Sequence, residues 1–370
     1  MSMITISPAL PEMSAEFSDQ PNAEFLVKLV LTLPAFFIAT VSPLAGILID
    51  RYGRLKLLYV SMVLYAIAGS SGFFLDSLTA ILIGRAFLGI AVGVSMTVVN
   101  TLVADYFEGS ERQKFVGIQV AFMSLGGILF IGLGGVLADF SWRYPFLLYF
   151  FSLLVLPLAI YNLYEPERIS AVPGESTKKQ KSPPIIWLLF INVLLMWVLF
   201  FMIPVQVPFR MVDIGVESNA MVGGAIALST LFSAISSFSY AKIRGRYSYY
   251  SIFTVGYLLM AAAFGLIAFA ESYITVVLAM VLAGLGMGMM IPNTNIWVMR
   301  LAPLEIRGRE IGKLTTFWFM GQFLSPILLL PISKSLSISS TFYMAAAILL
   351  GLSGFFLIMK LFFSPDHENE

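Results

Sequence analysis

Cysteine is absent from this 370-residue chain, histidine occurs once, at His367, and only 12% of residues are charged. Without cysteine there is no disulfide, no thiolate nucleophile and no thiolate-ligated metal. The single histidine leaves no paired-imidazole site and no histidine base beside a nucleophile. No glycine-rich loop ends in Gly-Lys-Ser/Thr, so a bound nucleotide is not expected to drive the protein. An enzyme is therefore not expected, and neither is a metal or organic cofactor. A net charge of +1 gives no reason to expect a nucleic-acid partner. The N-terminus lacks the basic region and cleavage site of a secretory signal.

Soluble domains carry about 25% charged residues, so this chain cannot cover a water-facing surface. Its composition is 59% hydrophobic with a mean hydropathy of +0.89, which requires a lipid bilayer as partner. Apolar runs long enough to span roughly 30 Å of hydrocarbon lie at about 24–49, 57–75, 78–102, 115–137, 145–164, 185–209, 219–240, 249–270, 273–297, 312–333 and 340–363. In lipid every backbone group must bond within its own helix or within a closed barrel. Barrel strands alternate residue by residue, and these runs do not. An all-α integral membrane fold with eleven full spans is expected.

Positive charge orients the spans. Of the 22 Lys and Arg, 17 fall on one side, in the loops around Arg51–Lys56, Arg112–Lys114, Arg168–Lys181, Lys242–Arg246 and Arg300–Lys313 and at Lys360. Lys28, Arg143, Arg210 and Lys334 fall on the other, and Arg85 lies inside an apolar run. The bias places the first group, the 165–184 linker and the C-terminus in the cytoplasm, with the chain in the cell membrane.

A shift of 195 residues superposes Arg51 on Arg246, Asp76 on Glu271, and Gly89 and Gly93 on Gly284 and Gly288. It also takes Asn100 onto Asn295, Arg112 onto Arg307 and Gly117 onto Gly312, with no gap. Two pseudo-symmetric six-helix halves are implied, 1–164 and 185–363, joined by the polar linker 165–184 and followed by a tail at 364–370. A central site between the halves follows from that plan. The repeat also expects the partner of the run opening at Ile185 to begin about eleven residues before Met1. The chain as given is therefore expected to carry only a stub of helix 1, ending near Pro8–Phe17.

Gly46-Ile-Leu-Ile-Asp50-Arg51-Tyr-Gly53-Arg54 joins two apolar runs. Its spacing, G-x-x-x-D-R-x-G-R, resembles the signature loop between helices 2 and 3 of the major facilitator superfamily of transporters. The resemblance covers essentially the whole chain. It implies that Gly46 lets helix 2 pack closely on helix 11, and that Asp50 caps a helix or pairs with an arginine. It further implies that Gly53 turns the hairpin while Arg51 and Arg54 form ion pairs that hold the inward side shut. Asp105 is the expected partner, with Glu108 and Arg112 next. In the second half, Ala241–Arg246 keeps the basic residues but has lost the acid and the leading glycine.

Arg85, in Gly84-Arg85-Ala-Phe-Leu-Gly89-Ile-Ala-Val-Gly93, resembles the helix 4 arginine of proton-linked exporters, and a buried charge in a span is a functional candidate. Snorkelling to the surface is its alternative. Gly126-Gly127-Ile-Leu-Phe130-Ile131-Gly132-Leu-Gly134-Gly135 resembles the helix 5 pattern of the drug:proton antiporter branch, with Phe130 and Ile131 where that branch carries Gly-Pro. All 21 Asp and Glu fall in loops or at helix ends, so no mid-membrane acid marks a proton site.

Asn100, Gln119, Asn192, Trp197, Gln206, Asn293, Asn295, Trp318 and Gln322 are the polar or amphipathic residues expected to line a central cavity. Thirty-two Phe and 19 Met make an adaptable apolar lining. The expectation is a monomeric secondary transporter working by alternating access, exporting hydrophobic or amphipathic small molecules against an ion gradient, most simply protons. An uptake carrier for a small organic solute is the alternative within that class. A non-transporting truncated membrane protein, or a sensor on a carrier fold, is the alternative outside it.

Overall fold

A computed structural model describes residues 3–166 and 182–362, apart from the side chains of Asp50 and Glu305. The linker core 167–181 and the tail with His367 lie outside the described residues. A 3-10 segment, Ile4–Ala9, and α1 (Leu10–Glu16) come first. They are followed by α2 (Ala23–Tyr52), α3 (Arg54–Phe74), α4 (Leu78–Tyr106) and α5 (Gly109–Ala138). A 3-10 turn, Tyr144–Phe150, leads into α6 (Phe151–Asn162). Then come α7 (Pro184–Phe200), α8 (Met202–Asp213), α9 (Asn219–Arg244), α10 (Tyr249–Phe269), α11 (Tyr273–Leu301), α12 (Arg307–Ser335) and α13 (Ile338–Phe362). Among the described residues eleven stretches are long and apolar enough to cross a membrane, with α7 and α8 acting as one. No strand occurs among the described residues.

Chain chemistry explains the breaks. Gly53 separates α2 from α3 at φ +87°, a left-handed value that glycine adopts without penalty. α7 gives way to α8 just before Pro204, which has no N–H to continue the helical ladder. Ser218 and Ser248 accept the backbone amides of Met221 and Ser251 as N-caps of α9 and α10.

The two halves repeat at the level of contacts. A Cβ on Gly89 of α4 would meet the Pro34 carbonyl of α2 at 2.5 Å, and one on Gly284 of α11 would meet the Ser229 carbonyl of α9 at 2.3 Å. Gly93 approaches Ile38, and Gly288 approaches Ser233. Every one of these four pairs obeys the 195-residue shift. Small residues let helix backbones close up in this way where lipid offers no hydrophobic drive between helices.

The halves meet along two seams, α5 on α9 and α2 on α12. The α5–α9 seam is tight at the end opposite the basic loops, and the α2–α12 seam closes near mid-helix. Gly135 of α5 and Gly223 of α9 touch backbone to backbone, and Phe36 of α2 lies 5.0 Å from Phe323 of α12 between ring centroids. At the basic end α5 is exposed on every face from Gly109 to Ile118. A Cβ on Gly46, Gly117, Gly308 or Gly312 would meet nothing within 4 Å. The bundle is therefore open between its halves at the basic end and shut at the other.

Candidate functional site

At the basic end the first half is knitted together. Arg54 Nε pairs with Asp105 Oδ2 at 3.0 Å, joining α3 to α4. The Glu165 carboxylate accepts the backbone amides of Arg54 and Leu55 at 2.7 and 2.8 Å, caring for two orphan donors at the positive end of the α3 dipole. Tyr106 stacks on Tyr164 with ring centroids 4.6 Å apart and donates to its carbonyl. All of these contacts stay within one half.

Arg54 is paired with Asp105, the partner expected for the hairpin, and both residues belong to the first half. Arg51 is exposed and lies over the neighbouring Tyr52 ring, and Arg112 is exposed. The Asp50 side chain lies outside the described residues. Gly46, expected to pack helix 2 on helix 11, faces open space because the halves are apart at that level.

The closed end is held by a different set. Phe201 and Val205, from the second half, are buried in a cluster with Met13, Phe17, Val27 and Val30 of the first. Ser7 Oγ donates to the Pro204 carbonyl, and Asn219 Nδ2 donates to Glu12. Asp139 accepts from the Asn219 and Ala220 amides at the start of α9. Lys28, counted among the loop charges from sequence, is instead fully buried in α2. Its ammonium pairs with Glu24 and donates to Gln206 Oε1 of α8 at 3.0 Å.

Arg85 does not snorkel. Its side chain is fully buried, donating to Tyr149 Oη at 2.9 Å and to the Gly69 carbonyl at 3.3 Å, with the Phe146 ring centroid 4.5 Å from Cζ. It joins α3, α4 and the turn before α6.

Of the central-cavity candidates, Asn100 is exposed, and Gln119 and Asn295 are partly exposed. Asn293 is committed elsewhere, and Asn192 in part, since its Nδ2 has no partner among the described residues. Asn192 Oδ1 accepts from Tyr257 at 2.7 Å, while Asn293 bonds the Tyr240 hydroxyl and the Tyr249 carbonyl. Both bind the second half together. Trp197 and Trp318 form a tilted pair 5.4 Å apart between α7 and α12. Both indole N–H groups, Gln322 Oε1 and Ser325 Oγ are buried without a hydrogen-bond partner among the described residues.

A family model described as Major Facilitator Superfamily matches residues 1–270 and 211–370. The chain belongs to this superfamily. Among its curated relatives are the quinolone resistance protein NorA of Staphylococcus aureus, 24% identical over 303 residues, 78% of this chain and 76% of that protein. The bacillibactin exporter of Bacillus subtilis is 26% identical over 380 residues, 96% of this chain and 90% of that one. In structure, the inward-open xylose transporter XylE of E. coli superposes with a TM-score of 0.75 at 14% identity, covering 96% of this chain and 93% of that one. As a member of the Major Facilitator Superfamily the chain is a membrane transporter.

Two features of this transporter were not visible in its sequence. Glu165 reads as the first residue of a linker, yet it caps α3. The other is a cavity of about 530 Å³ in the first half, lined by residues including Thr5, Met62, Ser95, Phe122, Gly126 and Ser152. By the 195-residue shift Met62 corresponds to Tyr257, Phe122 to Phe317 and Gly126 to Gly321. In the second half those residues hold α7: Tyr257 bonds Asn192, Phe317 stacks on Phe190 at 5.2 Å, and Gly321 approaches Leu194. The cavity is the counterpart of the space that α7 fills.

Proposed function

We propose that this protein is an alternating-access exporter of hydrophobic or amphipathic small molecules, driven by an ion gradient, most simply protons. The observation that carries this reading is the one-sided opening between the halves. With the basic loops assigned to the cytoplasm by the positive-inside rule, the open end faces inward, the state in which an exporter loads its solute and an uptake carrier releases it. Trp197 and Trp318, with ring centroids 5.4 Å apart, and Gln322 and Ser325 on the same helix as Trp318 carry buried polar atoms without a partner among the described residues. Such a lining suits a flat, largely apolar solute with one or two acceptors better than a sugar, whose hydroxyls each demand a matched partner. Relatives named for quinolone resistance, multidrug resistance and bacillibactin export add weight on the same side.

The test is transport in proteoliposomes with an imposed pH gradient, comparing a lipophilic aromatic cation with xylose. The reading expects gradient-driven movement of the cation away from the basic-loop side, reduced at least severalfold by Trp318→Ala. Gradient-driven movement of xylose in preference, or cation movement in the opposite sense, would favour an uptake carrier.

A further inference from the structure

Lys28 is a buried charge at the closed end that touches both halves. Its side chain is fully enclosed, and Val27, Val30 and Leu31 beside it are completely buried. The groups that face it come from three elements. Glu24 is one turn earlier on α2; Gln206 Oε1 at 3.0 Å and the Phe209 ring at 4.7 Å come from α8; Lys334 at the end of α12 acts on it as a like charge. Glu24 remains 35% exposed, so the pair reaches toward water through its acid and not through its lysine. The Gln206 amide nitrogen has no partner among the described residues. Holding Gln206 carbonyl-first on the ammonium therefore leaves its own N–H₂ unbonded.

An ammonium withdrawn from water costs several kcal/mol even after relaxation, and its partners repay this only in part. In this chain one of the two acceptors, Gln206, belongs to the other half. When the halves part at this end, Lys28 loses Gln206 and gains water. Closure and burial of the charge are thus one event. The repeat shows that the charge is not needed for packing: the shift of 195 takes Lys28 onto Gly223, which closes the other seam by bare backbone contact with Gly135.

We propose that Lys28 is a positioning residue for the transport cycle, whose buried charge favours opening of this end and is held in check by Gln206 across the seam. The two together keep the closed state from becoming a trap. The proposal rests on the alternating-access reading above, but its readout requires no substrate.

Because the chain has no cysteine, a single introduced thiol reports without background. Ile131 is fully buried at the α5–α9 seam, away from Lys28. Ile131→Cys would be labelled with a membrane-impermeant maleimide in the full-length protein, in vesicles exposing the end opposite the basic loops. Gln206→Leu strands the ammonium and is expected to raise labelling about tenfold, the scale of one lost hydrogen bond to a charged group. Lys28→Met removes the charge and is expected to lower labelling to or below the parent rate. In the double variant Gln206→Leu should have no further effect.

An increase on Lys28→Met would show the lysine to be simple glue and overturn the proposal. An equal increase from Gln206→Leu with or without Lys28 would do the same, by tracing the effect to leucine misfit. Absence of labelling in every background would mean that this end does not open, and would remove the proposal too. Failure of transport with an intact labelling cycle would instead count against the substrate reading alone.

Discussion

Tyr149 accepts a hydrogen bond from Arg85 at 2.9 Å while its ring centroid lies 4.9 Å from the same guanidinium. One residue thus serves as acceptor and as aromatic face for a fully buried charge of the first half. Gly69 completes the arrangement, since a Cβ there would meet the Tyr149 ring at 2.4 Å. These surroundings favour a fold-building role for Arg85 over the coupling role that its place in the sequence suggested. Tyr149→Phe is expected to cost about 1–3 kcal/mol, the penalty for leaving a buried donor short of an acceptor, read as a lowered unfolding midpoint in detergent. The pH profile of transport should not move with it. A shifted profile at unchanged stability would restore the coupling role.

The cap on α3 offers a second test. Glu165→Ala should lose about 0.5–2 kcal/mol, the usual worth of a carboxylate on helix amides, and loosen the segment that leads into the linker. Hydrogen exchange at the Arg54 and Leu55 amides would rise, which a purely electrostatic loop charge would not produce.

Arg54 and Asp105 pair at the surface, with side chains 14% and 27% exposed. Exposed pairs contribute about 0–1 kcal/mol, so Asp105→Asn should barely change stability. Its effect on transport rate should be larger than its effect on the melting point. Equal losses in both would mark the pair as scaffold only.

At the closed seam Gly223→Val should prevent the halves from meeting, because even a Cβ there would lie 2.9 Å from the Ile131 carbonyl. The expected outcome is rapid thiol labelling at Ile131→Cys together with lost transport. Labelling unchanged from the parent would mean that the seam had found another packing.

Much of the architecture was legible because lipid leaves so few options. The spans followed from run length, and the glycine positions of α4 and α11 followed from the repeat, which the structure returns as matching close approaches to α2 and α9. The residues that mattered through partners distant in sequence were harder to read. Lys28 lies near the start of a span, where a lysine can usually reach water along its own stem; only the arrival of α8 from the other half buries it. Asn192 and Asn293 have the composition of cavity residues, yet tyrosines of the same half claim them. Gly46 was read from a family pattern, and its packing depends on which end of the molecule is open.

The backbone contact between Gly135 and Gly223 sits near one end of α5, and that position has a mechanical consequence. Gly109 lies about 39 Å away along the helix at 1.5 Å per residue, so a rocking of roughly 10° about the contact sweeps the far end through about 7 Å. A fulcrum made of two bare backbones has no side-chain rotamers to reset as it rolls. The far end of this lever's long arm is the stretch of α5 that is exposed on every face, so small adjustments at the shut end are delivered, amplified, to the open one.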